Sequence, residues 1–151
     1  MHSPGVAGGK LFESALRYWR QLCPQGALPA YNQFDPVAVP WLLPHLVVKD
    51  VLYDPLDFRY RLMGEAVRVH VPRCYLGLRM SELAHQSPGT DLFEALGDLV
   101  ISGQPSTHTP PYLGPNKLIR AVETLLLPFS NGGDRVEIVI EAIHFRHRAD
   151  G

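Results

Sequence analysis

An α+β domain, an antiparallel sheet of about five strands with helices packed on it, is the fold the sequence predicts. In "ETLLLPFSNGGDRVEIVIEAI", residues 123–143, two apolar runs are joined by Ser-Asn-Gly-Gly-Asp, whose glycines supply the positive φ that a hairpin turn needs. A second pair of strand-like runs, "LVVKDVLYDPLDFRYRLMG", surrounds the turn residues Asp54-Pro55-Leu56-Asp57. Two stretches with apolar residues at helical spacing flank and separate these pairs. At 151 residues, 46% hydrophobic and 19% charged, the chain can bury a core without disulfides or metal, as one domain.

Residues 1–9, rich in Gly, Ser and Pro, read as a disordered lead-in, residues 10–147 as the domain, and residues 148–151 as a tail. From Lys10 to Cys23, Phe12, Ala15, Leu16, Trp19 and Leu22 make an amphipathic N-terminal helix that Pro24 and Gly26 stop. Pro36, Pro40 and Pro44 then allow only short helical turns in a compact connector. After the first hairpin and Gly64, "EAVRVHVPRCYLGLRMSEL" mixes short helical pieces with breakers at Pro72 and Gly77. Asp91 is the expected N-cap of a second helix, with Leu92, Phe93, Leu96, Leu99 and Val100 on one face and Gly103 and Pro105 ending it. A strand is expected from Thr107 to Leu113, then a turn at Gly114-Pro115-Asn116 and the long hairpin, whose last strand runs near Arg135 to Phe145.

Strand alternation assigns faces. Tyr60 and Leu62 share one face of the second strand, and Arg59, Arg61 and Met63 the other. In the last strand Val136, Ile138, Ile140 and Ala142 form the core-facing side, while Val139, Ile143 and Phe145 stand opposite beside Glu137 and Glu141, which read as a solvated stripe. A sheet with one wet face would not need Val139, Ile143 and Phe145. The unclaimed apolar stripe of the N-terminal helix, Phe12, Leu16 and Trp19, is the expected cover, within one chain or across a two-fold axis.

Several functions are disfavoured. A formal charge of -1, without a run of like charge, argues against nucleic acid as a partner. No apolar stretch approaches the roughly 20 residues of a membrane span, and "MHSPGVAGGK" has no signal-type apolar region, so no membrane insertion and a cytoplasmic location are expected. Cys23 and Cys74 lack the spacing of a zinc site and read as reduced thiols. The seven histidines carry no metal-binding frame, and His144 and His147 on a strand point to opposite faces, so no metal is expected. Cys23-Pro24 resembles a minimal haem-regulatory dipeptide, yet it marks a helix end. No residue pattern specifies a cofactor. Neither a nucleophile elbow nor a phosphate-cradling glycine loop is present, and no catalytic residue is assigned.

The series "YWRQL", "LPAYNQFDP", "VPWLLPHL", "DPLDFRYRLMG", "ISGQP" and "ETLLLPFSNGGDRV" resembles a group of short bacterial, mainly alphaproteobacterial, PAS-like domains that often form nearly the whole protein. The resemblance runs from about Leu11 to Phe145. It implies a PAS fold, a five-stranded antiparallel sheet with flanking helices, used to bind small molecules or protein partners. One segment departs from the group: where its members show a Gly-x-Asp-x-Thr-Gly type turn, this chain has "VPRCYLG", so no ligand chemistry carries over there. Polar tips among apolar neighbours nominate Tyr60, His70, Arg73, Tyr112 and Arg120 as ligand-binding residues. Because PAS-like domains often pair through the outer sheet surface and an N-terminal helix, a homodimer is expected through Phe12, Leu16, Trp19, Val139, Ile143 and Phe145. The resulting expectation is a non-catalytic sensory or signalling module binding a small ligand or a protein partner. The rivals are a purely structural adaptor with a filled core and an enzyme with an unrecognised site.

Overall fold

The computed structural model describes residues 6–148, with side chains described from residue 9 onward. The chain forms helix α1 (Val6–Leu22), strands β1 (Leu46–Leu52) and β2 (Asp57–Met63), a single-turn helix α2 (Glu65–Arg68), helix α3 (Asp91–Ser102), and strands β3 (Ser106–His108), β4 (Ile119–Phe129) and β5 (Ile138–His147). Short 3-10 turns fill the Pro-rich connector and the stretch before α3. Val6–Gly9, which composition assigns to the lead-in, belong to α1; the rest of the lead-in and residues 149–151 lie outside the described residues.

The five strands make one sheet in the order β2-β1-β5-β4-β3, with every neighbouring pair antiparallel. The expected union of the first hairpin with the last three strands is present: Leu46 pairs with Ala142, Val48 with Ile140 and Asp50 with Ile138. This places β5 at the centre of the sheet, which explains why its residues from Ile138 to Ile143 are all buried. A strand covered on both sides carries apolar residues on both faces.

Which layer covers which face is the reverse of the sequence expectation. On the outer face, Phe12, Ala15 and Trp19 of α1, with Val39 and Leu42 of the connector, pack on Val48, Leu125, Leu127, Ile138, Ile140 and Ala142. On the inner face, Phe93, Leu96 and Leu99 of α3 pack with Val51, Phe58, Leu126, Val139 and Ile143. Helix α1 thus covers, within one chain, the Ile138, Ile140 and Ala142 side that alternation assigns to the core, while Val136, Val139, Ile143 and Phe145 belong to the α3 layer.

Three local departures have clear causes. The β1–β2 register slips between Val48 and Lys49, so that Val48 faces Leu62 but Lys49 faces Tyr60, and Arg61 is the extra residue. A bulge of this kind exchanges the faces beyond it; Leu62 therefore joins the α1 layer and Met63 joins Tyr60 in the inner core. Strand β3 stops at His108 rather than Leu113, because Pro110 and Pro111 have no N–H to continue the ladder. Thr90, not Asp91, is the N-cap of α3, and Gly103 in the left-handed region (φ 65°) ends the helix by donating its N–H to the Leu99 carbonyl at 2.8 Å.

Gly64 joins β2 to α2 and donates its N–H to the Leu46 carbonyl at 2.7 Å. A Cβ built there would overlap the backbone carbonyl of Pro44, which cannot move without shifting the connector. Gly64→Ala is expected to lower stability by about 1–3 kcal/mol, as overpacking against a fixed neighbour does. A urea-denaturation midpoint unchanged from wild type would show that the connector yields freely.

Candidate functional site

Between the inner face of the sheet and the segments that cross it lies a cavity of about 550 Å3. Its apolar wall comes from Val47 on β1, Met63 on β2, Val67 on α2, Val122 on β4, and Ile143 and Phe145 on β5. The loop after β3 closes one end. Tyr112 from this loop stands edge-on to Phe145 at 5.9 Å, donates its hydroxyl to the His70 carbonyl at 2.8 Å and accepts the Asn116 N–H at 3.0 Å. Gly114 permits that arrangement, since a Cβ there would overlap the Tyr112 hydroxyl and the His70 carbonyl. The His70 ring lies 4.5 Å from Phe145 and 6.1 Å from His147. Burial, and then the neighbouring His147, push its pKa below the ordinary histidine value.

At the floor of the cavity sits a buried ion pair. Lys49 Nζ lies 2.6 Å from Glu141 Oε2, with the side chains 0% and 2% exposed, and the ammonium stands 4.6 Å over the Tyr60 ring. At this distance the pair is a charge-assisted contact in which the carboxylate is the ammonium's acidic partner. Burial by itself pushes the Lys49 pKa down, but the Glu141 carboxylate and then Tyr60 outweigh it and hold it above the ordinary lysine value. Tyr60 donates its hydroxyl to Gln86 Oε1 at 2.5 Å, and burial raises its pKa. Both strands supply the pair because alternation puts Lys49 on the side of Val47 and Val51, and Glu141 on the side of Val139 and Ile143. Glu141 lines the cavity; Lys49 stands behind it.

Of the residues nominated from sequence, Tyr60, His70 and Tyr112 come together on this wall. Arg73 and Arg120 are exposed and do not line it. Arg73 is carried outward in the bend after Pro72, and Arg120 is the unpaired residue of the register shift between Ile119 and Ala121 near the start of β4. Glu141, which strand spacing groups with Glu137 in a solvated stripe, is buried instead, and it pairs with Lys49, a residue that no sequence motif singles out. The available signal was a lysine in the middle of "VVKDV", at an inward position of a strand. The six residues expected to build one pairing surface fall on opposite sides of the sheet: Phe12, Leu16 and Trp19 pack in the α1 layer, Val139, Ile143 and Phe145 in the α3 layer. Among the described residues no group of three His, Cys, Asp or Glu side chains is placed to hold a metal ion.

A second cleft, about 660 Å3, opens between the end of α1, the end of α3 and the turn before β5. Its charged side chains, Arg20, Asp134 and Arg135, are all exposed. The candidate site is placed in the inner cavity, where a charged pair is withdrawn from water inside an apolar wall.

A sheet in the order β2-β1-β5-β4-β3, helices on both faces and an inner cavity define a PAS-like α+β domain. The chain is similar to the solved structure of an RNA-binding light-oxygen-voltage receptor, with a TM-score of 0.51 and 19% identity. That likeness covers 85% of this chain and 39% of the receptor chain, and it is a likeness of fold. No protein-family model and no curated protein matches the chain. Among the described residues no helix is long and apolar enough to cross a membrane.

Proposed function

We propose that the domain is a non-catalytic sensory module of the cytoplasm that binds a small organic molecule in the inner cavity and passes the signal on by protein contact. The observation that carries this reading is the cavity itself, about 550 Å3 and walled by apolar side chains, with the Lys49–Glu141 pair buried at its floor. Ligand sites of small molecules have this size and this mixture of apolar wall and few polar groups. A structural adaptor of the same fold would fill the space with its own side chains. Self-association belongs to the same proposal, through surfaces other than Phe12 and Trp19, which are buried on the chain's own sheet.

Native mass spectrometry of freshly purified protein tests the reading. The expected result is a population heavier than the bare chain by a small-molecule mass that is lost on denaturation. Only the bare-chain mass, in preparations from several growth conditions, would favour the adaptor.

A further inference from the structure

The polar groups around the cavity restrict the chemistry of what can enter, and this step rests on the sensory reading above. The wall holds no lysine or arginine, and two acidic side chains, Glu141 and Asp91, line it. The positive charge of Lys49 lies behind Glu141 and is already compensated by it. Two histidines line the cavity: His70, with its pKa lowered and its Nδ1 buried without a hydrogen-bond partner, and His85, whose Nε2 lies 3.4 Å from the Tyr75 hydroxyl and 3.3 Å from Gln86 Nε2. A carboxylate or phosphate would therefore lose its water and meet no lysine or arginine on the wall.

Three hydroxyl protons of the cavity wall are committed to protein acceptors. Tyr60 donates to Gln86, Tyr112 to the His70 carbonyl, and Thr124 to the His108 carbonyl at 3.0 Å. The acceptor side is different. Glu141, 2% exposed, lines the cavity; its Oε2 rests 2.6 Å from Lys49 Nζ, and no other described residue donates a hydrogen bond to its carboxylate. A buried carboxylate with a lysine behind it favours an N–H or O–H in front.

We propose that the inner cavity takes an uncharged, flat, largely apolar molecule that presents a hydrogen-bond donor to Glu141, and that it rejects carboxylates and phosphates. The flat apolar body fits against Phe145, Val122, Ile143 and Met63, and the donor lies over the floor. Heteroaromatic rings with a ring N–H have this chemistry.

Ligand-observed NMR and calorimetry on the full chain with indole, N-methylindole and indoleacetate separate the parts of the proposal. Indole should bind; N-methylindole, which has lost the donor, should bind about tenfold more weakly or worse, the worth of one hydrogen bond to a charged acceptor. Indoleacetate, which keeps the ring and the N–H but adds a carboxylate, should show no binding at the same concentrations. Equal binding of indole and N-methylindole would overturn the role of Glu141, and binding of indoleacetate as tight as that of indole would overturn the exclusion of anions. If none of the three binds and the Met63 methyl signal stays in place, the ligand chemistry proposed here is overturned, while the sensory reading is decided separately by the mass carried in native mass spectrometry. The variant Lys49→Met/Glu141→Leu removes both charges together; in it the preference for indole over N-methylindole should fall to about one, and should it not fold, the three-ligand series on wild type still decides.

Discussion

Lys49→Met is expected to destabilise the domain by about 3–5 kcal/mol, whereas Lys49→Met combined with Glu141→Leu should recover most of the loss. The reason is the asymmetry of a buried pair. Both side chains are withdrawn from water, and desolvating two charges costs nearly as much as their attraction returns, so an apolar pair of similar volume can be tolerated. Removing one partner leaves the other charge buried without compensation, next to Val47 and Leu126, its neighbours across β5. Urea denaturation of the two single variants and the double variant gives the coupling between the residues directly. A single-variant loss below about 1 kcal/mol at neutral pH, the size of an exposed pair, would mean that water reaches the floor of the cavity and that the charges are not held dry.

The topology was legible because its signals are local. Ser-Asn-Gly-Gly-Asp and Asp54-Pro55-Leu56-Asp57 mark the hairpins, and the alternation on either side supplies the strands that meet as β1 and β5. Layer assignment was not local. Residues Ile138 to Ile143 are apolar on both faces apart from Glu141, and period-2 alternation separates two faces without saying which helix lies on which. The bulge at Arg61 was invisible for a related reason: nothing in "FRYRLM" announces an extra residue, and one such residue exchanges Leu62 and Met63. The site was half legible. Tyr60, His70 and Tyr112 stood out as polar tips in apolar runs and do line the cavity. Glu141 did not, because its spacing from Glu137 is that of a wet strand face, and the lysine that makes it a buried group is on β1, distant in sequence and adjacent only through Val47 and Val48 pairing with β5. Arg73 and Arg120 are equivalent to the wall residues in composition, but Arg73 sits in a bend away from the sheet and Arg120 is the unpaired, exposed residue of a bulge in β4.

The assignment of α1 to the chain's own outer face has its strongest test at Trp19. The indole is almost fully buried and donates its Nε1 hydrogen to the Pro128 carbonyl of β4 at 2.8 Å. Around it, Phe12 and Ala15 continue the contact along Leu125, Leu127, Ile138 and Ile140. Trp19→Ala should cost about 3–5 kcal/mol, as deletion of a large buried aromatic does. Trp19→Glu should cost more, since it adds an unpaired charge to an apolar interface. Because α1 is the cover of that sheet face, a variant that releases it bares a contiguous apolar surface and is expected to aggregate as it melts. Circular dichroism during urea titration, read beside sedimentation velocity of the still-folded fraction, distinguishes the two roles the helix could have. If α1 serves its own chain, both substitutions lower the unfolding midpoint and leave the association state of the folded molecules as in wild type. If Trp19→Ala instead melts like wild type but converts a dimer to monomers, the helix packs across a two-fold axis, and the contact of Trp19 with Pro128 joins two chains.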